Sequence, residues 1–351
     1  MENNLKIQSL QILRALAAWL VVYHHYMQIF HNFNSSSLIG DFFSSRGGFG
    51  VDLFFVLSGF MMYLAASRPS ADGWSFFIKR LFRVFPTYWF FTFIIIIAVA
   101  LMPNTFIYNQ YTAYTLIQSL FFIPHESASG LGVYPVLTVG WTLNYEVLFY
   151  SILAVCLAAF KRKGIYICCA LILLFPIVFY SFDNVTMSVI KNPKMWQFVF
   201  GMAIGYIFLK YKIIEIQLFK TGLISLIAGG IILSGILGYG LIHTTISASL
   251  IVIGFILINN LFNEKNLLTQ FLIKLGDYSY STYLAHILVL GVLFNFFGDY
   301  TSILKETVVI ILLSLATYTV SYFSYKYIEN SSFIDALKVS LLNKKVQSTK
   351  K

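Results

Sequence analysis

Arg14 and His25 are the side chains whose types and spacing most directly indicate chemistry, because both lie in one apolar segment, residues 10–30. On an α-helix, eleven residues turn through about 1100°, so the two side chains point within about 20° of one another, roughly 16 Å apart along the axis. A charged side chain at the centre of a membrane helix costs about 2.5–3.5 kcal/mol on insertion scales. Two such groups on one stripe therefore indicate a polar channel inside the protein rather than a surface that faces lipid.

His25 carries the side chain best suited to accept a proton from a hydroxyl near neutral pH. His24 points about 100° away around a helix, so only His25 shares the stripe of Arg14. A histidine in a membrane helix also serves in packing or in a proton relay, and the matching phase of Arg14 is what favours catalysis. Two carboxylates in apolar segments, Asp52 and Glu146, require a cationic partner, a hydrogen bond or a water-filled cavity.

A third pair of candidates, Arg80 and Arg83, lies in the segment KRLFRVFPTYW. Residues three apart share a helix face, and guanidinium groups match phosphate oxygens in shape and charge, so this face suits a phosphorylated ligand. Ordinary anchoring at the cytoplasmic edge of the membrane is the alternative. His286 is interpreted as a packing residue in the middle of its apolar segment, and Glu329 is expected to pair with Lys326 at helical spacing.

The composition predicts an all-α membrane protein. The chain has 351 residues, of which 58% are hydrophobic and only 11% are charged, whereas average soluble chains carry about 25% charged residues. Several apolar runs are close to the length that spans hydrocarbon, and they are continuous rather than alternating, which favours a helical bundle over a β-barrel. The net charge of +10 is attributed to basic cytoplasmic loops and not to nucleic-acid binding. No residue spacing indicates a metal site.

Hydropathy predicts about ten membrane-spanning helices, with boundaries uncertain by a few residues. They are residues 9–30, 48–66, 80–101, 140–160, 165–182, 195–210, 221–241, 245–262, 277–297 and 306–327.

The intervening loops alternate in charge, which predicts the orientation of the chain. One set carries basic clusters at residues 68–83, 161–163, 210–220 and 265–274, and the chain ends fall on that side with Lys6, Lys344, Lys345, Lys350 and Lys351. The other set holds Arg46, Lys191, Lys194 and Lys305, with nothing basic between 102 and 139. The positive-inside rule then places both termini in the cytoplasm. Residues 1–330 are predicted to form one transmembrane domain, followed by a short basic cytoplasmic tail at 331–351.

Taken together, these segments resemble the acyltransferase type 3 family of membrane proteins. The resemblance rests on Arg14 and His25 in the first span, GVDLFFVLSGF with Ser58 and Gly59 in the second, KRLFRVFPTYW in the third, WTLNYEVLFY in the fourth and YSTYLAHILVL near the end. These motifs occur in order and cover about residues 8–330. The form that the chain resembles is the stand-alone one, without an appended hydrolase-like domain.

The resemblance implies a bacterial enzyme of the cytoplasmic membrane that transfers an acyl group, often acetyl, from cytoplasmic acyl-coenzyme A to a hydroxyl of an extracytoplasmic carbohydrate. Such acceptors include exopolysaccharide, capsule and O-antigen, which are sometimes lipid-linked. Acetyl-coenzyme A is then a donor substrate and not a tightly bound cofactor. On this hypothesis Arg14, Arg80, Arg83 and Ser58 bind the donor, and its pantetheine arm presents the thioester near His25.

Two chemical versions follow from the hypothesis. In the first, which we prefer, His25 is the general base for direct attack by the sugar hydroxyl. In the second, His25 itself takes the acyl group and passes it on. Either Asp52 or Glu146 orients the imidazole, as carboxylates do in catalytic triads, and the sequence does not choose between them.

Two rival interpretations explain part of the pattern. A transporter or flippase of a lipid-linked sugar would account for the many spans and the buried charges, but not for the ordered motifs. A sensor or structural protein with the same fold would not need both Arg14 and His25.

Overall fold

The computed structural model of the protein describes residues 7–213, 218–262, 265–298 and 302–348, with side chains described up to residue 343. Three of the lysines used for the orientation argument, Lys6, Lys350 and Lys351, lie outside the described residues, as do the side chains of Lys344 and Lys345.

Every regular element within these ranges is helical. In chain order the α-helices are α1 (Gln8–His31), α2 (Leu38–Arg46), α3 (Phe49–Ala66), α4 (Gly73–Leu101), α5 (Ala113–Leu120), α6 (Trp141–Phe160), α7 (Gly164–Val178), α8 (Val185–Ile190), α9 (Trp196–Lys210), α10 (Phe219–Ser234), α11 (Leu241–Leu257), α12 (Leu267–Asp277), α13 (Ser279–Phe297), α14 (Ile303–Ser324) and α15 (Ser332–Ser348). A π-helical turn, Tyr325–Glu329, follows α14 directly.

The chain divides into two compact units, each built from separate stretches of sequence. The first combines Met1–Ala65 with Pro193–Tyr280 and contains α1, α2, α3 and α9 to α12. The second combines Ala66–Asn192 with Ser281–Lys351 and contains α4 to α8 and α13 to α15. Each unit is therefore completed only by residues from the second half of the chain.

Each of the ten apolar segments that hydropathy predicted coincides with a helix, and two predicted ends were wrong by a wide margin. Helix α4 begins at Gly73 rather than at residue 80, because the Asp72 carboxylate accepts the backbone N–H groups of Trp74 and Ser75, each at 3.1 Å. Such an N-cap satisfies donors that the first turn leaves without a partner. Helix α10 ends at Ser234 rather than at residue 241, because the next residue, Gly235, takes up a left-handed conformation with φ of 85°.

Within the described residues, five segments are long and apolar enough to cross a membrane. They are Phe49–Ala66, Gly73–Leu101, Thr138–Val178, Ser279–Phe297 and Ile303–Asn343, and two shorter apolar helices are Phe219–Ser234 and Leu241–Leu257. This is the pattern of a multi-pass membrane protein. The number of ten spans and the cytoplasmic position of both termini stay predictions.

Helices α3 and α9 of the first unit pack through glycines, which brings their backbones close together. A Cβ atom on Gly59 would overlap the Phe198 carbonyl, and one on Gly201 would overlap the Val56 carbonyl. The glycine of the FFxxSG motif is therefore explained by a close helix–helix contact. This contact holds α3, which carries Asp52 and Ser58, against the helix that begins at Trp196.

Candidate active site

Helix α1 carries both Arg14 and His25 without interruption, so the spacing argument applies to a real helix. Both side chains are partly buried. His25 Nδ1 lies 3.1 Å from the carbonyl oxygen of Val21, one turn back along the same helix. Because a carbonyl only accepts, Nδ1 is the protonated nitrogen and the neutral ring carries its lone pair on Nε2. The helix backbone thus selects the tautomer that a general base at Nε2 requires.

His24 is held differently, although its ring lies beside that of His25 with centroids 5.5 Å apart. Its Nδ1 donates to the Phe43 carbonyl in α2 at 2.9 Å. Gly47 and Gly48 admit this side chain, since a Cβ atom on Gly47 would lie 2.8 Å from the His24 Cβ and one on Gly48 would lie 3.2 Å from Nε2. His24 therefore fixes the junction of α1, α2 and the start of α3.

Asp52 is the centre of a buried polar cluster that joins three helices of the first unit. The residue is 5% exposed, and its carboxylate accepts hydrogen bonds at Oδ1 from Gln197 Nε2 at 2.5 Å and from Thr244 Oγ1 at 3.2 Å. Lys194 Nζ lies 3.5 Å from the same oxygen. We name Asp52, Lys194, Gln197, Thr244 and Thr245 the Asp52 cluster. It lies one helical turn along the chain from Gly48, so it is at the same end of this unit as the two histidines.

Gln197 is the member of the Asp52 cluster with an unfilled requirement. Its side chain is fully buried, with Nε2 directed to Asp52 and 3.3 Å from Thr245 Oγ1, while Oε1 has no hydrogen-bond partner among the described residues. Exchanging the two amide atoms would set oxygen against the carboxylate, so the orientation is fixed. Sequence reasoning missed Gln197, Lys194 and Thr244. A single glutamine inside the apolar helix α9 was the signal that could have found the first of them.

Arg46 and Tyr239 lie at the more exposed side of this region. The Arg46 guanidinium stacks on the Tyr239 ring, with Cζ 4.0 Å from the ring centroid, and its Nη2 donates to the Ser234 carbonyl at 3.1 Å. Tyr239 is 48% exposed and lies in the loop between α10 and α11. Burial of the phenol, followed by the negative charge of Asp52, raises the pKa of Tyr239. The negative charge of Asp52 therefore acts on the aromatic residue that Arg46 covers.

The second unit contains the predicted phosphate-binding pair. Arg80 and Arg83 act on one another electrostatically, and Arg68 and Glu146 also contribute to the field at Arg80. Arg80 Nε is buried and has no hydrogen-bond partner within the described part of the chain. Glu146 accepts a short hydrogen bond from the Tyr150 hydroxyl one turn along α6. Two further guanidinium groups, those of Arg83 and Arg68, therefore act on Arg80.

Arg83 is paired with Glu329, and this corrects the expectation that Glu329 pairs with Lys326. Arg83 Nη1 lies 2.9 Å from Glu329 Oε2, and the carboxylate is almost fully buried, with 1% of its side chain exposed. Glu329 Oε1 also accepts the backbone N–H of Ser281 at 3.1 Å and the Ser281 hydroxyl. Because Ser281 lies in the first turn of α13, the carboxylate also faces the positive end of that helix. Residues three apart share a face in an α-helix, but Lys326 and Glu329 lie in a π-helical turn, which has more residues per turn. The spacing that would place Glu329 beside Lys326 is therefore lost.

His286 is fully buried in α13, and its Nδ1 lies 3.3 Å from the Thr282 carbonyl oxygen one turn back. This supports its interpretation as a packing residue.

The predicted site residues fall into two groups. Arg14, His25, Asp52 and Ser58 belong to the first unit, and Arg80, Arg83 and Glu146 belong to the second. Ser58 is partly buried on α3, and its role with the donor stays a prediction. The choice of Asp52 or Glu146 as the group that orients His25 stays a prediction too. Within the described residues no three histidine, cysteine or carboxylate side chains are grouped to hold a metal ion.

Comparison with known proteins matches residues 7–326 to the model of an acyltransferase domain family. The chain is also similar to the exopolysaccharide production protein ExoZ of Rhizobium meliloti (strain 1021), with 33% identity over 255 residues, which cover 70% of this chain and 77% of that protein. No solved structure matches the chain.

Proposed function

Since the chain belongs to the acyltransferase type 3 family, we propose that this acyltransferase moves an acyl group, by default acetyl, from cytoplasmic acyl-coenzyme A to a hydroxyl of an extracytoplasmic carbohydrate. The similarity to a protein named for exopolysaccharide production supports a polysaccharide or its precursor as the acceptor. The bacterial cytoplasmic membrane is the expected location, because the donor is made inside the cell and the acceptor lies outside.

The observation that carries the chemical part of this proposal is the hydrogen bond from His25 Nδ1 to the Val21 carbonyl. It gives Nε2 the lone pair with which a neutral imidazole removes a proton from a sugar hydroxyl. In the direct version, the hydroxyl oxygen attacks the thioester carbonyl as its proton passes to Nε2. The tetrahedral intermediate then expels the coenzyme A thiolate, which takes the proton from the imidazolium.

The alternative version passes through an acylated His25. There Nε2 attacks the thioester, and the coenzyme A thiolate leaves and is protonated by solvent. A sugar hydroxyl then attacks the acyl group, releases its proton to solvent and displaces the neutral imidazole. We prefer the direct version because it requires one fewer intermediate. Mass spectrometry of the purified protein, quenched after a short incubation with acetyl-coenzyme A alone, distinguishes the two, since only the second version predicts an acetyl adduct on His25.

Arg80 and Arg83 are the proposed contacts for the phosphates of the donor. The Arg83 side chain is 36% exposed beside its ion pair with Glu329, and Arg80 has a buried N–H donor at Nε without a partner among the described residues. Such groups favour phosphate oxygens as bidentate acceptors. The joint role of Arg14 with this pair stays a prediction.

The proposal is tested at two levels. Deletion of the gene should remove an O-acyl signal from the NMR spectrum of the cell-surface carbohydrate, and plasmid-borne wild type should restore it while the His25→Ala variant should not. The purified protein should release coenzyme A only when donor and acceptor are both present. Unchanged O-acylation in the deletion strain, together with no donor-dependent transfer by the purified protein, would contradict the proposal and favour a flippase.

A further inference from the structure

The Asp52 cluster contains more hydrogen-bond acceptors than the protein itself uses. All three donors that reach Asp52 are directed to Oδ1, and among the described residues no hydrogen bond is made to Oδ2. Gln197 Oε1 also lacks a donor. Buried polar atoms in folded proteins are nearly always hydrogen-bonded, so the buried Gln197 Oε1, together with the adjacent Asp52 Oδ2, indicates a bound group that supplies hydroxyls. The hydrogen bonds that join the three helices use only Oδ1 of Asp52, so they do not account for the second oxygen.

Two basic side chains lie in the same unit as this cluster, in segments that carry few lysines and arginines. Arg46 and Lys194 belong to the loop set with the lower content of lysine and arginine. Lys194 Nζ is near Asp52, whereas the Arg46 guanidinium contacts a backbone carbonyl and an aromatic ring and makes no ion pair within the described residues. A guanidinium in that state retains its full charge toward an anion.

Tyr239 adds a flat apolar surface to the same region. Arg46 covers one side of its ring, and the residue remains 48% exposed. Aromatic rings combine an apolar face with a polar edge, which suits a sugar ring that has both characters. Hydrogen-bond acceptors, an aromatic face and a cation in one region together correspond to the hydroxyls, the ring face and an acidic substituent of one sugar.

We propose that the Asp52 cluster, with Arg46 and Tyr239, is the acceptor site and that it selects an acidic sugar. Two sugar hydroxyls donate to Asp52 Oδ2 and Gln197 Oε1, and the sugar carboxylate faces Arg46. This inference rests on the proposed function, because it names the acceptor class of that reaction.

The test measures sugar binding without donor, so it does not depend on catalysis. The purified full-length protein in lipid nanodiscs is titrated with cellobiouronic acid and with cellobiose, a matched pair that differ only in the carboxylate, and saturation-transfer NMR reports the affinity. We expect the acidic disaccharide to bind about tenfold more tightly. Arg46→Gln should remove this preference by weakening the binding of the acidic disaccharide about tenfold.

Lys191→Gln is the matched control, because Lys191 is another basic residue of the same loop set and pairs with Asp183 in the second unit. It should not change either affinity. Equal losses in Arg46→Gln and Lys191→Gln would indicate diffuse attraction and overturn the proposal, as would the absence of binding by either disaccharide. Inorganic phosphate is the third probe, and displacement of both sugars by millimolar phosphate would mark an anion site without sugar recognition, again overturning it.

Gln197 tests the base of the site. Gln197→Leu should weaken both disaccharides about equally, because it removes a contact to a hydroxyl that they share. Unchanged affinities in a folded variant would overturn the assignment. If this variant does not fold, the Arg46→Gln measurement still decides. Specific binding without acyl transfer would contradict the proposed function alone, and acyl transfer without this selectivity would contradict the inference alone.

Discussion

His24 and His25 are adjacent in sequence, but their Nδ1 atoms contact different groups. This difference assigns a structural role to His24 and a catalytic role to His25. His25 is oriented by its own helix through Val21, while His24 connects α1 to Phe43 of α2. An asparagine side chain reproduces the Nδ1 donor of a histidine but has no counterpart of Nε2. Substitution of each histidine by asparagine therefore separates orientation from basicity.

We expect His25→Asn to lower turnover about 10²–10⁴-fold, since general-base assistance contributes that much. His24→Asn keeps the donor to Phe43 and should stay within an order of magnitude of wild type. The measurement is coenzyme A release by purified proteins at equal concentration with saturating donor and acceptor. Similar activity in both variants, with normal folding, would remove His25 from the chemistry.

The pair of Arg83 and Glu329 belongs to the same scale and concerns stability. Glu329 is almost completely buried, so removing its cation leaves an uncompensated charge, which typically costs about 3–5 kcal/mol. We expect the lower end of that range for Arg83→Ala, because Arg83 is 36% exposed and water replaces part of the lost interaction. The result should be a lower midpoint of thermal unfolding in detergent.

Adding Glu329→Gln to Arg83→Ala is the control, because it removes the buried charge that Arg83→Ala leaves behind. The double variant should recover most of the lost stability, and a loss that merely adds up would contradict the coupling. Lys326→Ala should lower stability by less than Arg83→Ala. The Lys326 ammonium group lies over the rings of Tyr322 and Tyr327, and such a contact at an exposed site contributes only about 0.5–1 kcal/mol.

At this scale the sequence predicts what local spacing determines. Arg14 and His25 share a helix, so eleven residues suffice to relate them. The partners of Asp52 follow it by 142, 145 and 192 positions, and no periodicity connects such distant residues. For the same reason the sequence predicts Lys326, three positions away, as the partner of Glu329, and does not indicate the distant Arg83.

At the scale of helices, the FFxxSG motif has a packing explanation in Gly59. A Cβ atom there would overlap the Phe198 carbonyl, a backbone group that cannot turn aside. Gly59→Ala should therefore separate α3 from α9 and lower the unfolding midpoint. Gly230 is the matched control, since it also lies within a helix, α10, but a Cβ atom there meets nothing within 4 Å.

We expect Gly230→Ala to be neutral or stabilising by about 0.5–1 kcal/mol, the usual difference between the two residues in a helix interior. Thermal unfolding followed by circular dichroism in one detergent compares the two variants. Equal stability of Gly59→Ala and Gly230→Ala would show that α3 and α9 are not held at this distance.

Hydropathy predicts which segments form helices, whereas single residues decide where those helices begin and end. The cap at Asp72 and the left-handed Gly235 decide where α4 begins and α10 ends. Both are ordinary boundary signals, but an apolar window averages over them. Apolar length is consequently a good guide to which segments are helical and a poor guide to their limits.

For the whole molecule, the alternating charge of the loops predicts that residue 162 faces the cytoplasm and residue 126 the opposite side. In a variant with Cys156, Cys168 and Cys169 replaced by serine, Glu126→Cys should react with a membrane-impermeant maleimide on intact spheroplasts. Arg162→Cys should react only after the membrane is opened. Both positions are exposed on the protein, so access depends on the membrane. The reverse labelling pattern would invert the orientation and contradict the proposed direction of transfer.

The first unit is assembled from two stretches of chain that are separated by residues 66–192, and this has a consequence for biosynthesis. A ribosome releases Asp52 long before it makes Lys194, Gln197 and Thr244. During that interval the nascent protein holds a carboxylate in an apolar helix without its final partners. The insertion machinery must keep that segment out of contact with lipid until the second stretch is made. A premature stop codon between the two stretches should therefore yield a product that membrane proteases degrade quickly.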